Sequence, residues 1–397
     1  MVRSVGTRSE VAVDFDLTPE QELVRKTARD FADREIAPVA RDYDRNEEFP
    51  WPVLEKMKPL GFLGASIPEE HGGMGLDSIS YCLVIEEIAR ADSSIRGILS
   101  VNCSLVGTAI VKWGTEDQKK EWLPTLAAGD AIGCFALTEP GAGSDPGSAK
   151  MTAVRDGDDY VINGSKMFIT NGTVAGLALT FANADPSKGA KGVTAFLVPM
   201  PTPGLTTKEI KGKLGLRAAS TAEMYYDDVR VPASAVLGEI GGGMKVALGA
   251  LDQGRVSLAA GCVGIAQACL DASVEYAKQR EQFGRPIAGF QLIQEMLADM
   301  LVEVEAARLL VWRAAALKDK GQRNTVEAAI AKYVASEAAV KCANLAIQVH
   351  GGYGYIDEFP VGKYLRDARV TTLYEGTSQV QKLLLGRHLT GVNAFTS

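Results

Sequence analysis

Glu375 is the side chain in this sequence best suited to acid–base chemistry. It lies in Arg369-Val370-Thr371-Thr372-Leu373-Tyr374-Glu375-Gly376-Thr377-Ser378-Gln379, flanked by apolar residues and followed at once by a glycine and two hydroxyls. Apolar surroundings disfavour the ionised carboxylate and raise its pKa. A carboxylate raised in this way can act as a general base near neutral pH, provided that it is held against the proton it removes. The same residues also suit a surface or salt-bridged glutamate. Two further stretches stand out by composition: Ala136-Leu137-Thr138-Glu139-Pro140-Gly141-Ala142-Gly143-Ser144-Asp145 and Gln348-Val349-His350-Gly351-Gly352-Tyr353-Gly354-Tyr355.

The elements that must position these groups fall into three blocks. Residues 17–130 read as helices. Thr18-Pro19-Glu20-Gln21-Glu22 is a helix start, with Thr18 as cap, and Leu23, Val24, Ala28, Phe31 and Ile36 follow at helical spacing. Further helices are expected from about Ser78 to Arg90 and from Ser94 to Trp113. From residue 131 to about 237 the chain changes to short β-rich segments, 150–155, 159–162, 178–182 and 193–199, with turn signals at Asn163-Gly164 and Asn171-Gly172. Past Gly241-Gly242-Gly243 the helical period returns, with helices expected over about 243–278, 290–320, 325–349 and 379–386. The predicted fold is therefore an α+β multidomain chain. It has an N-terminal helical domain (1–130), a middle β-barrel or sandwich domain (131–240) and a C-terminal helical bundle (241–397).

Composition narrows the function classes. The 397 residues are 46% hydrophobic, enough for a large core, and carry a net charge of −7. An acidic chain lacks the basic surface that phosphate contacts need, so nucleic-acid binding is not expected. No window of about 18 uninterrupted apolar residues is present, so no membrane span is expected. The N-terminus has no apolar run after its basic residues and meets Glu10 and Asp14 early, so it reads as a short loose arm of a cytoplasmic protein. The six cysteines form no CxxC pair and read as buried free thiols. With three histidines and no clustered ligands, no metal site is expected.

The run from Thr138 to Asp145 resembles the first acyl-CoA dehydrogenase signature at every constrained position. The run from Gln348 to Asp367, with Gly351, Gly352, Gly354, Glu358 and Lys363, resembles the second. Arg280-Glu281-Gln282-Phe283-Gly284 followed by Gln291 is a third landmark of that family, and the resemblance extends over nearly the whole chain. It implies a flavoenzyme that removes hydrogens from the α and β carbons of an acyl-CoA thioester. Such an enzyme needs a hydride acceptor, which no side chain can be. No strand-associated GxGxxG with a following acid supports a nicotinamide site, which leaves a flavin bound by another fold, and the resemblance implies that it is FAD.

The resemblance also implies roles. Glu375 is the catalytic base. Phe135, Ala136, Leu137 and Thr138 line the flavin ring edge, with the Thr138 hydroxyl near N5, and Phe168, Ile169 and Thr170 cover its other side. Arg280 and Gln291 reach the FAD of a neighbouring subunit, and Gln348, Gly351 and Gly352 let backbone approach it. Thr377, Ser378 and Gln379 meet its adenosine and phosphate side. Ser144, Asp252, Arg255 and Gly376 lie along the CoA thioester, with Ser144 also beside the cofactor. A homotetramer that passes electrons to an electron-transfer flavoprotein is implied as well. Without the resemblance, Thr138 reads as a turn hydroxyl, Arg280 as an exposed helix-end arginine, Gly351-Gly352 as a helix stop and Thr377-Ser378 as an N-cap.

Two positions bear on substrate. Some branched- and long-chain relatives carry their base at the position of Gly254, so its glycine leaves Glu375 as the base. Arg96, in Ser93-Ser94-Ile95-Arg96-Gly97-Ile98-Leu99-Ser100, matches the arginine with which glutaryl-CoA dehydrogenases hold a distal carboxylate, although Ala89 replaces their usual acid. Otherwise Arg96 is a surface residue or pairs with Glu86 or Glu87. A short or branched acyl-CoA is the leading expectation and glutaryl-CoA the alternative. An oxidase and a non-catalytic or DNA-associated relative stand behind these.

Overall fold

The computed structural model describes residues 15–395, and the arm read from residues 1–14 lies outside them. Helix α1 (Pro19–Phe31) starts as its sequence predicts. Thr18 Oγ1 accepts from the Gln21 N–H at 3.2 Å, and the Gln21 amide oxygen accepts from the Thr18 N–H at 3.1 Å. Helices α2 (Ala40–Asn46), α3 (Trp51–Met57), α4 (Ser78–Ala91), α5 (Ser93–Ser100), α6 (Thr108–Trp113) and α7 (Glu116–Ala128) complete the first block. The run expected as one helix from Ser94 to Trp113 is continuous, but a π-type stretch, Val101–Gly107, joins α5 to α6. Buried Asn102 in that stretch donates to the Leu63 and Leu126 carbonyls (2.8 and 3.2 Å) and accepts from the Gly133 N–H (2.8 Å). One polar side chain thereby ties the helices to the first strand.

Strands β1 (Gly133–Ala136), β2 (Thr152–Asp156), β3 (Asp159–Thr170), β4 (Leu177–Asn183), β5 (Val193–Pro199), β6 (Leu205–Glu209), β7 (Thr221–Pro232) and β8 (Val236–Leu237) form one sheet. Its order is β6-β7-β3-β2-β4-β5-β8, with β1 parallel to β4. The sheet is open rather than a closed barrel. It turns at β2, which pairs with β3 over five residues but with β4 only at Thr152↔Asn183. Strand β4 is buried along its whole length because both of its faces are covered: Leu177, Leu179 and Phe181 pack with the helical Leu105, Ile110 and Leu126, while Ala178 and Ala182 pack with Phe196, Met224 and Tyr226.

Of the two predicted turns, Asn171-Gly172 is one, with Asn171 at φ 66°. Asn163-Gly164 is not: it lies inside β3 at a register shift against β7. Asn163 exchanges hydrogen bonds of 3.0 and 2.9 Å with Asp228, and a Cβ on Gly164 would sit 2.9 Å from Met151 Cγ. Long-range pairing overrides the local turn signal and makes a bulge of it.

The last block holds α8 (Gly243–Gln279), a two-residue-per-strand hairpin of β9 (Glu281–Gln282) and β10 (Arg285–Pro286), α9 (Gln291–Asp319), α10 (Thr325–His350), α11 (Val361–Thr371) and α12 (Ser378–Thr390). Helix α11 lies outside the helices expected from the sequence. Its Gly362 and β-branched Val370 and Thr371 are poor helix formers, and packing of Val361, Lys363, Asp367 and Ala368 compensates. Helix α12 runs past the expected end at Gly386. The stretches Ser93–Trp113 and Gly243–Gln279 are long and apolar enough to cross a membrane, but 83% of each such window is buried within the protein, where they serve as core helices. All six cysteines are buried and free.

The loop after β1 is fixed by a buried ion pair. Lys166 Nζ lies 2.9 Å from Glu139 Oε1 and donates to the Leu137 carbonyl at 3.0 Å, while Glu139 accepts from the N–H groups of Lys150 and Met151 (2.7 and 3.1 Å). Burial pulls the pKa of Lys166 down and Glu139 opposes it. Removing one partner leaves an uncompensated interior charge, at a cost of about 3–5 kcal/mol. Glu139→Ala is expected to lose that much stability, measured by urea unfolding at unchanged m-value. A loss below about 1 kcal/mol would show that the pair is not a structural anchor.

Candidate active site

Glu375 sits in the short turn between α11 and α12. Its φ is 54°, a left-handed conformation uncommon for a residue with a Cβ, and Gly376 follows at 89°. Three elements hold this strained turn by its carbonyls. Arg255 Nε on α8 donates to the Glu375 carbonyl at 3.3 Å, as does Gln381 Nε2 on α12 at 3.3 Å. The Gly376 carbonyl accepts from Lys332 Nζ on α10 at 2.7 Å and from Gln381 Nε2 at 3.0 Å. The Glu375 carboxylate lies against Gly254 of α8. Its Oε2 is shut off from solvent and has no hydrogen-bond partner. Burial pushes the carboxyl pKa up to about 7, against the opposing influence of Arg96, Lys332 and Arg255.

The wall facing this carboxylate is built from small residues on α8. A Cβ added to Gly254 would lie 2.4 Å from Glu375 Oε2, and one added to Gly261 would lie 2.7 Å from Arg96 Nε. Seven residues, or about 10 Å of helix, separate the two. Position 254 thus adjoins the space that the Glu375 carboxylate fills. Arg96 is neither a surface residue nor paired with Glu86 or Glu87. Glu86 binds Arg308, and Glu87 binds Arg25 and Arg90. The Arg96 guanidinium is buried, donates to Tyr374 Oη (2.8 Å) and Ser93 Oγ (3.2 Å), and leaves its Nε unpartnered. Burial opposes its charge, and the Tyr374 oxygen favours it. Arg255 is neutralised by Asp252 at 2.8 Å, and Asp252 in turn accepts from Thr325 Oγ1 at 2.9 Å.

Helix α5 links this corner to the sheet. Arg96 reaches Tyr374, while the Ile98 carbonyl accepts from Asn171 Nδ2 at 3.4 Å; the same amide donates to the Gly133 carbonyl on β1 at 3.1 Å. The end of β3 and the start of β1 are therefore pinned beside α5. Phe135, Ala136, Leu137 and Thr138 follow on β1 and its loop. The Thr138 carbonyl accepts from the Met167 N–H at 2.9 Å, which brings Phe168, Ile169 and Thr170 alongside. Phe168 occupies a bulge against β7 at φ 60°, and its ring is 66% exposed. Ser144 is exposed on the same loop, where Gly141 and Gly143 have open space around them. On α12, Thr377 Oγ1 accepts from the Val380 N–H at 3.1 Å, Ser378 Oγ donates to Glu337 at 2.6 Å, and Gln379 is exposed. The capping expectation thus holds for Thr377.

A second group of predicted residues lies elsewhere. Arg280 follows the end of α8, about 40 Å along the helix from Gly254, and stacks over the Tyr353 ring at 5.5 Å. Exposed Gln291 begins α9, and exposed Gln348, Gly351 and Gly352 end α10, with nothing near a Cβ built on either glycine. These residues do not meet Glu375 within one protomer. Sequence reasoning missed Lys332, Gln381 and Gly261. Only Lys332 carried a signal, as a lone cation in the alanine-rich run from Ala328 to Ser336.

The N-terminal, middle and C-terminal domain profiles of the acyl-CoA dehydrogenases match residues 18–130, 134–229 and 241–390. The chain belongs to the acyl-CoA dehydrogenase family. The mitochondrial short-chain specific acyl-CoA dehydrogenase of Mus musculus is 48% identical over 392 residues, covering 98% of this chain and 95% of the relative. Among solved structures, butyryl-CoA dehydrogenase from Megasphaera elsdenii superposes with a TM-score of 0.93 at 43% identity, covering 95% of this chain and 100% of that one. A glutaryl-CoA dehydrogenase from Mycobacterium smegmatis in complex with FADH2 gives 0.91 at 36% identity, covering 96% and 97%. The residues of this acyl-CoA dehydrogenase fit a flavin. Phe135, Leu137 and the exposed Phe168 ring offer apolar faces, Thr138 and Thr170 offer hydroxyls, and the open space at Gly141 and Gly143 admits a ligand against backbone.

Proposed function

We propose that this chain is an FAD-dependent short-chain acyl-CoA dehydrogenase in which Glu375 takes the proton α to the thioester carbonyl, giving a 2-enoyl-CoA. The observation that carries this is the Glu375 carboxylate, whose Oε2 is shut off from solvent and unpaired and whose pKa is pushed up to about 7. Desolvation makes it basic, and the positive charge around it opposes that rise. The Glu375 N–H has no acceptor among the described residues and can donate to the thioester oxygen as enolate charge develops. A bound flavin supplies the acceptor for the β hydride. Phe135 to Thr138 and Phe168 to Thr170 hold that flavin, with Thr377, Ser378 and Gln379 toward its adenosine and phosphates. Ser144, Asp252, Arg255 and Gly376 serve the CoA thioester. Because the base works only when ionised, kcat/KM should rise with pH through about 7 and level off above it. A profile flat from pH 5.5 to 8 would refute the assignment of the base.

Arg280, Gln291, Gln348, Gly351 and Gly352 act on the flavin of a neighbouring subunit. Their distance from Gly254 along α8 favours this, and so does the apolar surface beside them, where Phe283, Tyr355 and Leu292 are 93%, 89% and 72% exposed. A homotetramer follows, acting in the cytoplasm and passing electrons to an electron-transfer flavoprotein, with the folding units 1–130, 131–240 and 241–397.

Arg96 bears on the acyl group. A chain extended along α8 from Glu375 meets this buried guanidinium within about 10 Å, which favours a short acyl group. The unpartnered Nε supports a second reading, a glutaryl group whose carboxylate Arg96 binds. Against that, position 89 is an alanine packed toward Gly264. Anaerobic flavin bleaching with butyryl-, isobutyryl-, hexanoyl- and glutaryl-CoA separates these, with Arg96→Ala alongside. Butyryl-CoA is expected to bleach the wild type. Bleaching by glutaryl-CoA alone, lost in Arg96→Ala, would establish the second reading. No bleaching by any acyl-CoA would overturn both.

A further inference from the structure

Lys332 sits inside α10 among Ala328, Ala329, Ala331 and Ala335, with no exposed surface. Its Nζ donates to the Gly376 carbonyl at 2.7 Å, and among the described residues no carboxylate lies within 4 Å of it. A buried ammonium without a counterion is costly, and a neutral donor such as glutamine could bond the same carbonyl without that cost. The charge therefore calls for an explanation that the hydrogen bond does not provide. The charged and titratable groups around it are few. Arg255 and the Cys262 thiol face it from α8, Glu337 lies on its own helix, and Glu375 is on the turn that it holds. Arg255 carries the same sign and is already neutralised by Asp252, burial pushes the Cys262 thiol up and so keeps it protonated, and Glu337 is exposed to solvent. Arg96 also acts on Glu375, from α5, where its guanidinium bonds the Tyr374 phenol. That leaves Glu375 as the group whose charge Lys332 can serve.

We infer that Lys332 is a positioning residue whose interior positive charge, anchored on the Gly376 carbonyl, keeps the neighbouring Glu375 carboxylate ionised at neutral pH. The inference rests on the assignment of Glu375 as base in an acyl-CoA dehydrogenase. Its physical content is separable from turn-holding: Lys332→Gln keeps a donor to the carbonyl and removes the charge, whereas Lys332→Arg keeps the charge. Burial pulls the lysine down to about 8, with Cys262 and Glu375 opposing, so the ammonium is charged at pH 6, on the acid limb where the variants are compared.

The test uses the FAD-loaded enzyme. The acid limb of kcat/KM for butyryl-CoA is expected to move up by about one pH unit in Lys332→Gln, as for loss of a nearby opposite charge. This is about a tenfold loss at pH 6, with wild-type flavin content. Lys332→Arg should keep the wild-type limb. The protonated-carboxyl infrared band of Glu375, identified by its disappearance in Glu375→Gln, should titrate at correspondingly higher pH in Lys332→Gln. An unmoved limb and band in Lys332→Gln, or a uniform loss of rate without either shift, would overturn the inference. If Lys332→Gln does not fold, a displaced limb in Lys332→Arg would do so. A wild type that no acyl-CoA bleaches would refute the functional assignment instead, and the infrared titration would still decide the role of Lys332.

Discussion

Glu375→Gln is expected to slow flavin reduction by acyl-CoA by about 10²–10⁴-fold, the usual contribution of a positioned general base. The substitution preserves the shape of the side chain and removes its basicity. It leaves the turn intact, because Arg255, Gln381 and Lys332 hold backbone carbonyls rather than the carboxylate. The left-handed φ of 54° is no harder for glutamine than for glutamate. The variant should therefore fold and keep its flavin. Stopped-flow anaerobic reduction separates these quantities, since flavin absorbance reports cofactor content before mixing and chemistry after it. A variant that retains more than about a tenth of the wild-type rate would not have lost its base, and the assignment would fall.

Gly254→Ala should be nearly as harmful, for a steric reason. A single added methyl would stand 2.4 Å from Glu375 Oε2 and 2.7 Å from Leu105 Cδ2, closer than such atoms come. Helix α8 is buried over most of its length around this position, so the carboxylate is the part that yields. A displacement of about 1 Å at the reacting group costs on the order of 10²-fold in rate. Global stability should move the other way or hardly at all, because alanine in a helix interior gains about 0.5–1 kcal/mol over glycine. The expected result is a loss of kcat of about 10²-fold at an undiminished melting temperature. Near-normal turnover would mean that the carboxylate has room that the packing denies it. Loss of turnover together with melting would point to a disrupted helix.

What could be read from the sequence was whatever neighbouring residues settle among themselves. The helix start capped by Thr18 is settled within the few residues from Thr18 to Glu22. The long helix from Gly243 declares itself by period alone. Glu375, with apolar residues before it and glycine after it, announces a carboxylate in unusual surroundings, and the resemblance of whole motifs supplied the chemistry. The turn at Asn171-Gly172 and the bulge at Asn163-Gly164 share the same local signal. They differ because Asp228 and Met151, distant in the chain, lie against the second.

The tertiary structure decided the rest, because electrostatics and packing depend on what is near in space. Nothing around Lys332 in the chain says that its ammonium meets the Gly376 carbonyl, 44 residues on. The Arg96 guanidinium could have faced water or Glu86; it lies against Tyr374, 278 residues away, because Gly261 leaves space for it. Sequence by itself determined the helical, sheet and helical order of the three blocks, the family and the candidate for the base, Glu375. Folding determined the raised pKa of Glu375 and the contacts that hold its turn. Both arise from the low-dielectric interior formed when α5, α8, α10 and the turn before α12 close on one another, and no one of these segments carries that environment alone.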